Sequence, residues 1–311
     1  MSEDSYNEFL LSKIYEIFPK KEAVAFIESN EISRPITIRT NLSLISRKEL
    51  ISALLRRKIE CDVLDWCEEV IVIFSSKVPL GATPEYLAGY YIIQGANSFL
   101  PVLNMELSKI KDSYKVVDLC GAPGGKSTHI GALMENRGTL FVNELNKDRC
   151  SSLISNLHRM HVSNSIISNI DGLKFDVGKV ERVLLDAPCS GTGIISKDPS
   201  VKTSKTEKEI KDHQKLQKKL ILHAFDMLKN NGILVYSTCS ILVEENEEVI
   251  DFLLSKRKNA KVSDLDVAIG KDGFSKFRGV SYNGTISKSK RIFPHVQNMD
   301  GFYYCKIKKV E

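Results

Sequence analysis

The stretch Asp118-Leu-Cys-Gly-Ala-Pro-Gly-Gly-Lys-Ser-Thr128 decides how this chain is read. It ends in Gly-Lys-Ser, as a triphosphate-binding loop does. Such a loop needs a glycine five positions before its Gly-Lys pair, and Cys120 stands where Gly125-Lys126 would require it. Gly121 comes one residue late, so the loop is too short to arch around a β-phosphate. Spacing therefore argues against a nucleoside triphosphatase. Three glycines and a proline within Cys120–Gly125 are still more than a generic turn needs, and they allow backbone amides to approach a ligand closely.

Outward from this loop the pattern alternates strand and helix. Strand-like runs fall at Lys115–Leu119, Gly138–Val142, Ser165–Ser168, Arg182–Leu185 and Gly232–Tyr236. Helical periodicity covers Tyr86 to Met105, Lys147–Met160 and Glu207–Lys229, the last opened by the capping-box spacing Ser204-Lys-Thr-Glu207. Such alternation predicts an α/β, doubly wound, mainly parallel sheet, with ligands beyond the carboxyl ends of its strands. Ahead of it, Ile36–Leu42 and Val70–Phe74 read as strands and Arg47–Lys58 as a helix. The Gly/Pro-bearing stretch Val78–Pro84 sets the boundary between a small α+β domain, residues 1–84, and a larger domain, residues 85–311.

With 42% hydrophobic and 27% charged residues, the chain has the composition of a globular protein able to bury a sizeable core. No apolar run is long enough for a membrane span, and no signal peptide is read at the N-terminus. Seven scattered cysteines, none in a Cys-x-x-Cys pair, predict neither a zinc site nor a disulfide framework. Residues 1–80 hold 11 Lys and Arg against 13 Asp and Glu, so the net charge of +5 comes from the larger domain. That balance suits a polyanionic partner.

The strand ends carry the chemistry. Glu144, 23 positions after Gly121, lies where a carboxylate accepts hydrogen bonds from ribose hydroxyls. The loop and Glu144 together describe a nucleoside ligand bearing an anionic group, either NAD or S-adenosylmethionine. Asp171 follows the third strand, where it would bond an adenine edge or cap a loop. The fourth strand ends in Asp186-Ala-Pro-Cys-Ser-Gly191 and the fifth in Ser237-Thr-Cys-Ser240, so Cys189 and Cys239 leave neighbouring strand ends. Hydride transfer needs no thiols, and a metal would want further ligands. Methylation of a pyrimidine at carbon 5 does need a thiolate, which adds to carbon 6 and makes carbon 5 nucleophilic. Asp186 would then hold the amino edge of the base and promote protonation at ring nitrogen 3. A helix starting at Val243–Glu248 would bring its positive end near Cys239. Spacing does not choose between the two cysteines as nucleophile.

At these residues the sequence resembles the NSUN-type (Sun/Fmu) RNA cytosine-5 methyltransferases. The resemblance covers nearly the whole chain and rests on Arg39-Thr-Asn41, Gly89-Tyr-Tyr-Ile-Ile-Gln94, the Cys120–Lys126 loop, Asp186–Gly191 and Ser237–Ser240. Val78–Gly89, Ile195–Pro199 and Asn298-Met-Asp-Gly-Phe302 look like the nucleolar proliferation-antigen branch, which acts on large-subunit ribosomal RNA. The resemblance implies a seven-stranded class I methyltransferase sheet with a small α+β RNA-binding domain. By similarity, Cys120, Gly121, Ala122, Pro123, Gly124, Gly125, Lys126, Glu144, Asp171, Asp186 and Gln94 bind S-adenosylmethionine. It makes Cys239 the nucleophile, with Cys189 assisting breakdown of the adduct and Asp186 serving the base. The RNA path is expected at Arg39, Asn41, Lys197 and Lys202, with no metal and no membrane. It implies a nucleolar location in a eukaryote and a cytoplasmic one otherwise. That branch carries a long charged N-terminal extension, whereas this sequence starts almost at the small domain, so targeting by such an extension is not expected here. A ribosome-assembly factor whose methylation is dispensable is the alternative.

Overall fold

The computed structural model describes residues 3–311, and these form two compact units. One comprises Pro35–Val102 and Glu106–Phe175; the other gathers the residues up to Arg34, Leu103–Met105 and Asp176–Glu311. The units thus cut the chain at points other than residue 84.

In the first unit, strands β1 (Ile36–Thr40), β2 (Glu60–Val63), β3 (Val70–Ser75) and β4 (Tyr91–Ile93) form an antiparallel sheet in the order β2-β3-β1-β4. Helix Arg47–Arg56, started by a capping box between Ser46 and Glu49, lays Leu50 and Leu54 against Ile38, Ile71 and Ile73. Fully burying each of these aliphatic side chains is worth about 1.5–3 kcal/mol. The same unit carries three parallel strands, β5 (Lys115–Asp118), β6 (Thr139–Asn143) and β7 (Ser165–Ser168), in that order. Helices Gly125–Leu133 and Lys147–Arg159 make the crossovers. The helix expected from Tyr86 to Met105 is instead Pro84–Leu87, strand β4, a 3-10 turn at Ala96–Phe99 and a short helix Leu100–Leu103. Gly89 explains the break: it adopts φ +77°, and a Cβ there would come within 1.9 Å of the Arg159 carbonyl oxygen.

In the second unit, β8 (Val180–Asp186) and β9 (Leu228–Thr238) run parallel, joined through helix Glu207–Asp226. The helix buries Ile210, Leu220, Ile221, Ala224 and Phe225, and its capping box falls on Thr206 and Glu209, two residues later than expected. The remaining strands are β10 (Ala260–Val262), β11 (Lys271–Asp272), β12 (Lys276–Phe277), β13 (Val280–Ser281), β14 (Lys290–Ile292) and β15 (Phe302–Lys309). β15 lies antiparallel to β9, with β14 and then β11 beyond it and β10 paired to its end, while β12 and β13 form a separate hairpin. The parallel α/β pattern is therefore extended by antiparallel strands from the C-terminal third. Helices Glu8–Ile17 and Lys20–Ser29 also belong to this unit. Their Leu10, Ile14, Phe18, Phe26 and Ile27 pack with Ile195, Val201, Ile241, Leu242 and Phe293. That cluster supports the loops leaving β8 and β9.

Candidate active site

The first unit presents the glycine-rich loop. Gly121 N–H bonds the Asn143 carbonyl at 2.8 Å, and Gly124, at φ +104°, closes the turn onto the Gly121 carbonyl at 2.8 Å. A Cβ on Gly121 would lie 2.3 Å from Val142 Cγ1, so only glycine lets the loop sit this low over the strands. Ser127 Oγ donates to Asp118 Oδ2 at 2.7 Å and pins the helix start to the end of β5. Glu144 is nearly buried; its Oε2 accepts from Ala122 N–H at 3.3 Å and its Oε1 from Asn146 N–H at 2.8 Å. Each carboxylate oxygen has a second lone pair, so these bonds leave acceptor capacity for hydroxyl donors. Arg149, not singled out from the sequence, lies 3.6 Å from Glu144 and donates to the Ala122 carbonyl at 2.7 Å. Gln94 comes from another part of the same unit and lies 3.4 Å from where a Gly125 Cβ would stand. Asp171 accepts from Leu173 N–H at 3.0 Å, which makes it at least a turn residue.

Arg39 and Asn41 need correction as RNA contacts. Both are buried, Arg39 completely. Arg39 donates through Nη2 to Thr128 Oγ1 at 2.8 Å and through Nε to Gln94 Oε1 at 3.3 Å; Asn41 donates to the carbonyls of Gly89 and Met160. They hold the antiparallel sheet to the crossover helices and cannot reach an RNA. Burial pulls the Arg39 pKa down to about 10 against the opposing charge of Glu69, which still leaves it cationic at neutral pH. Beside it, fully buried His129 lies 3.1 Å from Glu69.

The second unit presents the thiols. Cys189 Sγ and Cys239 Sγ stand 3.0 Å apart, each partly buried. Asp186, at the end of β8, accepts from Ser237 Oγ at 2.6 Å. The Cys189 thiol is held well above its ordinary range, first by its hydrogen bond to Cys239, then by burial and by the charges of Cys239 and Glu245. Either sulfur can be the donor in this contact, so the geometry alone does not choose the nucleophile. Gly193 N–H bonds the Cys239 carbonyl at 2.8 Å, while Thr192 Oγ1 and Ser240 Oγ meet at 3.0 Å, so the two cysteine loops are knitted together.

The helix expected over Val243–Glu248 starts later. A 3-10 turn covers Val243–Glu245, and the α-helix begins at Glu247. Asn246, at the N-cap position, makes no capping bond, because its side chain goes to Thr238 and Ser240. The proposed dipole source for Cys239 is thus displaced. Glu245, Asn246 and Glu247, read from the sequence as part of a helix start, are fully buried. Among the lysines, Lys202 is tucked against Glu31 at 2.6 Å with 12% of its side chain exposed, which removes it from the RNA path. Lys197 pairs with Asp300 at 2.5 Å but stays half exposed.

A family model described as 16S rRNA methyltransferase RsmB/F matches residues 105–308, and a second, an RsmF/B-like ferredoxin-like domain, matches residues 6–79. The chain belongs to the RsmB/F family. Similar members include the 28S rRNA (cytosine(4447)-C(5))-methyltransferase of Homo sapiens, 46% identical over 98% of this chain and 38% of that protein. The 25S rRNA (cytosine-C(5))-methyltransferase nop2 of Schizosaccharomyces pombe is 45% identical over 98% of this chain and 51% of that protein. This chain therefore spans about two fifths to one half of such eukaryotic relatives. The tRNA (cytosine(49)-C(5))-methyltransferase of Pyrococcus abyssi is 36% identical over 88% of each chain. A crystal structure of a methyltransferase homolog from Pyrococcus horikoshii superimposes with TM-score 0.88 at 28% identity, covering 99% of both chains. The RsmB/F fold thus runs through the whole chain: a class I α/β methyltransferase sheet and a ferredoxin-like domain. Among the described residues no helix is long and apolar enough to cross a membrane, and no group of three or more His, Cys, Asp or Glu could hold a metal.

Proposed function

We propose that this RsmB/F family chain is an RNA cytosine-5 methyltransferase whose substrate is large-subunit ribosomal RNA, in the nucleolus of a eukaryotic cell. The carrying observation is the 3.0 Å contact between Cys189 and Cys239, which follow the ends of the neighbouring strands β8 and β9. The glycine-rich loop suits a nucleoside ligand, because Gly121 lies too close to Val142 for any side chain and Glu144 keeps acceptor capacity. Residues Cys120 to Lys126, with Gln94, Glu144, Asp171 and Asp186, would hold S-adenosylmethionine, which supplies the methyl group when bound. Residues 1–84 serve RNA binding and residues 85–311 catalysis. Lys197 meets phosphate without reading sequence.

The target cytosine must leave its stack before carbon 6 can be reached. Cys239 Sγ adds to carbon 6, and Asp186 holds the amino edge and promotes protonation at nitrogen 3. Cys189, whose Sγ stands 3.0 Å from that of Cys239, is the group placed beside the adduct, and it assists removal of the proton from methylated carbon 5. The carbon 6–sulfur bond breaks, Cys239 leaves as a thiolate, the carbon 5–carbon 6 double bond returns, and nitrogen 3 gives up the proton it took on at addition. Dividing the reaction in this way replaces one prohibitive step with easier ones.

The test uses RNA containing 5-fluorocytidine, from which no proton can be removed at carbon 5. Cys239→Ala should abolish both methylation and covalent capture. Cys189→Ala should let adducts build up on ordinary RNA, seen as a slow band on a denaturing gel. Capture that survives without Cys239 and needs Cys189 reverses the roles. Bisulfite sequencing of ribosomal RNA from cells with and without the protein tests the substrate; an unchanged large-subunit pattern rejects it.

A further inference from the structure

We propose that Glu245, Asn246 and Glu247 form a positioning clamp that sets both thiols for the reaction proposed above, on which this inference rests. The three residues are consecutive and each is fully buried. Burying two carboxylates and an amide is costly unless each finds specific partners. Glu245 and Asn246 find partners on the chain neighbours of the two cysteines, and Glu247 finds them in Arg291 and the Phe274 N–H.

Glu245 takes the Cys189 side. Its Oε1 accepts from Ser190 N–H at 2.9 Å and from Gln217 Nε2 at 3.1 Å, and its Oε2 accepts from the Ser190 hydroxyl. Gln217 Nε2 also donates to the Pro188 carbonyl at 2.9 Å. Cys189 is therefore gripped through the residues before and after it. Asn246 does the same for Cys239: Oδ1 accepts from the Thr238 hydroxyl at 2.6 Å, and Nδ2 donates to the Ser240 carbonyl at 2.9 Å. Glu247 pairs with buried Arg291, which donates to the Ile241 carbonyl at 2.8 Å, the next stretch of the Cys239 loop.

A merely structural helix start would look different. Asparagine at an N-cap normally bonds the N–H two or three residues on, worth about 1 kcal/mol. Asn246 forgoes that bond, and its backbone, at φ −117° and ψ −95°, is neither helical nor extended. This turn sends three successive side chains to the Cys189 loop, to the Cys239 loop and to Arg291 on β14. Neither sulfur is touched by the clamp, so these are positioning residues: they fix the loops between which the 3.0 Å sulfur contact is made. An error of about 1 Å in such a contact costs on the order of 100-fold in rate.

The test compares wild type with Asn246→Asp, Thr238→Val and Ser190→Ala in the full chain. Asn246→Asp keeps the shape but turns a carboxylate oxygen toward the Ser240 carbonyl. It should lower kcat by about 100-fold and slow capture of 5-fluorocytidine RNA in parallel, with KM for RNA changed less than about twofold. Thr238→Val removes one hydroxyl from the same contact and should act in the same direction. Because it deletes so little, it carries the test if Asn246→Asp does not fold. Ser190→Ala should leave the rate of capture unchanged and slow adduct release, leaving visible adducts on ordinary RNA. Wild-type rates of capture and release in all three variants, while wild type captures normally, overturn the clamp alone. A rise in KM with kcat unchanged also overturns it, since that pattern marks lost binding and not lost positioning. Absence of capture by the wild type overturns the methyltransferase reading, and the clamp with it.

Discussion

Gly193→Ala probes how tightly the two cysteine loops are pressed together. Gly193 donates its N–H to the Cys239 carbonyl at 2.8 Å and accepts from Gly301 N–H at 2.7 Å. A Cβ at this position would stand 2.1 Å from the Gly301 carbonyl oxygen and 2.8 Å from that of Cys239. Both are backbone atoms, so no rotamer change relieves the clash. Moving from 2.1 Å to the 3.4 Å where ordinary contact begins requires about 1.3 Å of separation. Overpacking of this kind costs roughly 1–3 kcal/mol. A displacement of about that size beside the nucleophile should also slow covalent capture on the order of 100-fold. Urea unfolding and the rate of adduct formation on 5-fluorocytidine RNA measure the two effects separately. Gly284→Ala is the control, because nothing lies within 4 Å of its Cβ position. Gly193→Ala with wild-type stability and wild-type capture would refute the reasoning.

Three further outcomes are expected. Arg39→Met removes the donors to Gln94 and Thr128 and should destabilise the fold by about 3 kcal/mol in urea. It should also weaken S-adenosylhomocysteine binding in calorimetry through Gln94; unchanged binding would separate Arg39 from the ligand loop. Burial holds the His129 pKa below 6.5 despite Glu69, so the unfolded chain binds a proton more readily than the folded one. That contribution is fully present above pH 6.5 and is lost as pH falls below it, by at most about 1.4 kcal/mol per pH unit until the folded pKa is reached. In urea titrations between pH 7 and 5.5, His129→Gln should flatten the fall; an equal slope in both proteins rejects the assignment. Lys202→Ala should change RNA affinity less than about twofold and leave its salt dependence intact, because Glu31 already holds that ammonium.

The parts of the site that depend on local chemistry were legible in the sequence. Glycines at 121, 124 and 125, the acids at strand ends and the two cysteines each advertise a backbone approach, a charge or a nucleophile within a few residues. The parts that depend on distant partners were not. Arg39 reads as a surface cation until Gln94 and Thr128 close around it. Glu245 and Glu247 read as part of a helix start, and Ser190, Gln217, Phe274 and Arg291, far away in sequence, account for their burial. The break at Gly89 depends on the Arg159 carbonyl, which no local periodicity foretells. The antiparallel strands β10, β11 and β14 are only two or three residues long, and their pairing around β15 is a property of the whole chain.

Peptide mapping of the covalent complex tests the central claim most directly. Wild-type protein is trapped on 5-fluorocytidine RNA in the presence of S-adenosylmethionine, digested with protease and nuclease, and sequenced by mass spectrometry. The account predicts the modified nucleotide on the peptide containing Cys239, with Cys189 unmodified. A nucleotide attached to Cys189, or no attachment to either sulfur, would contradict it.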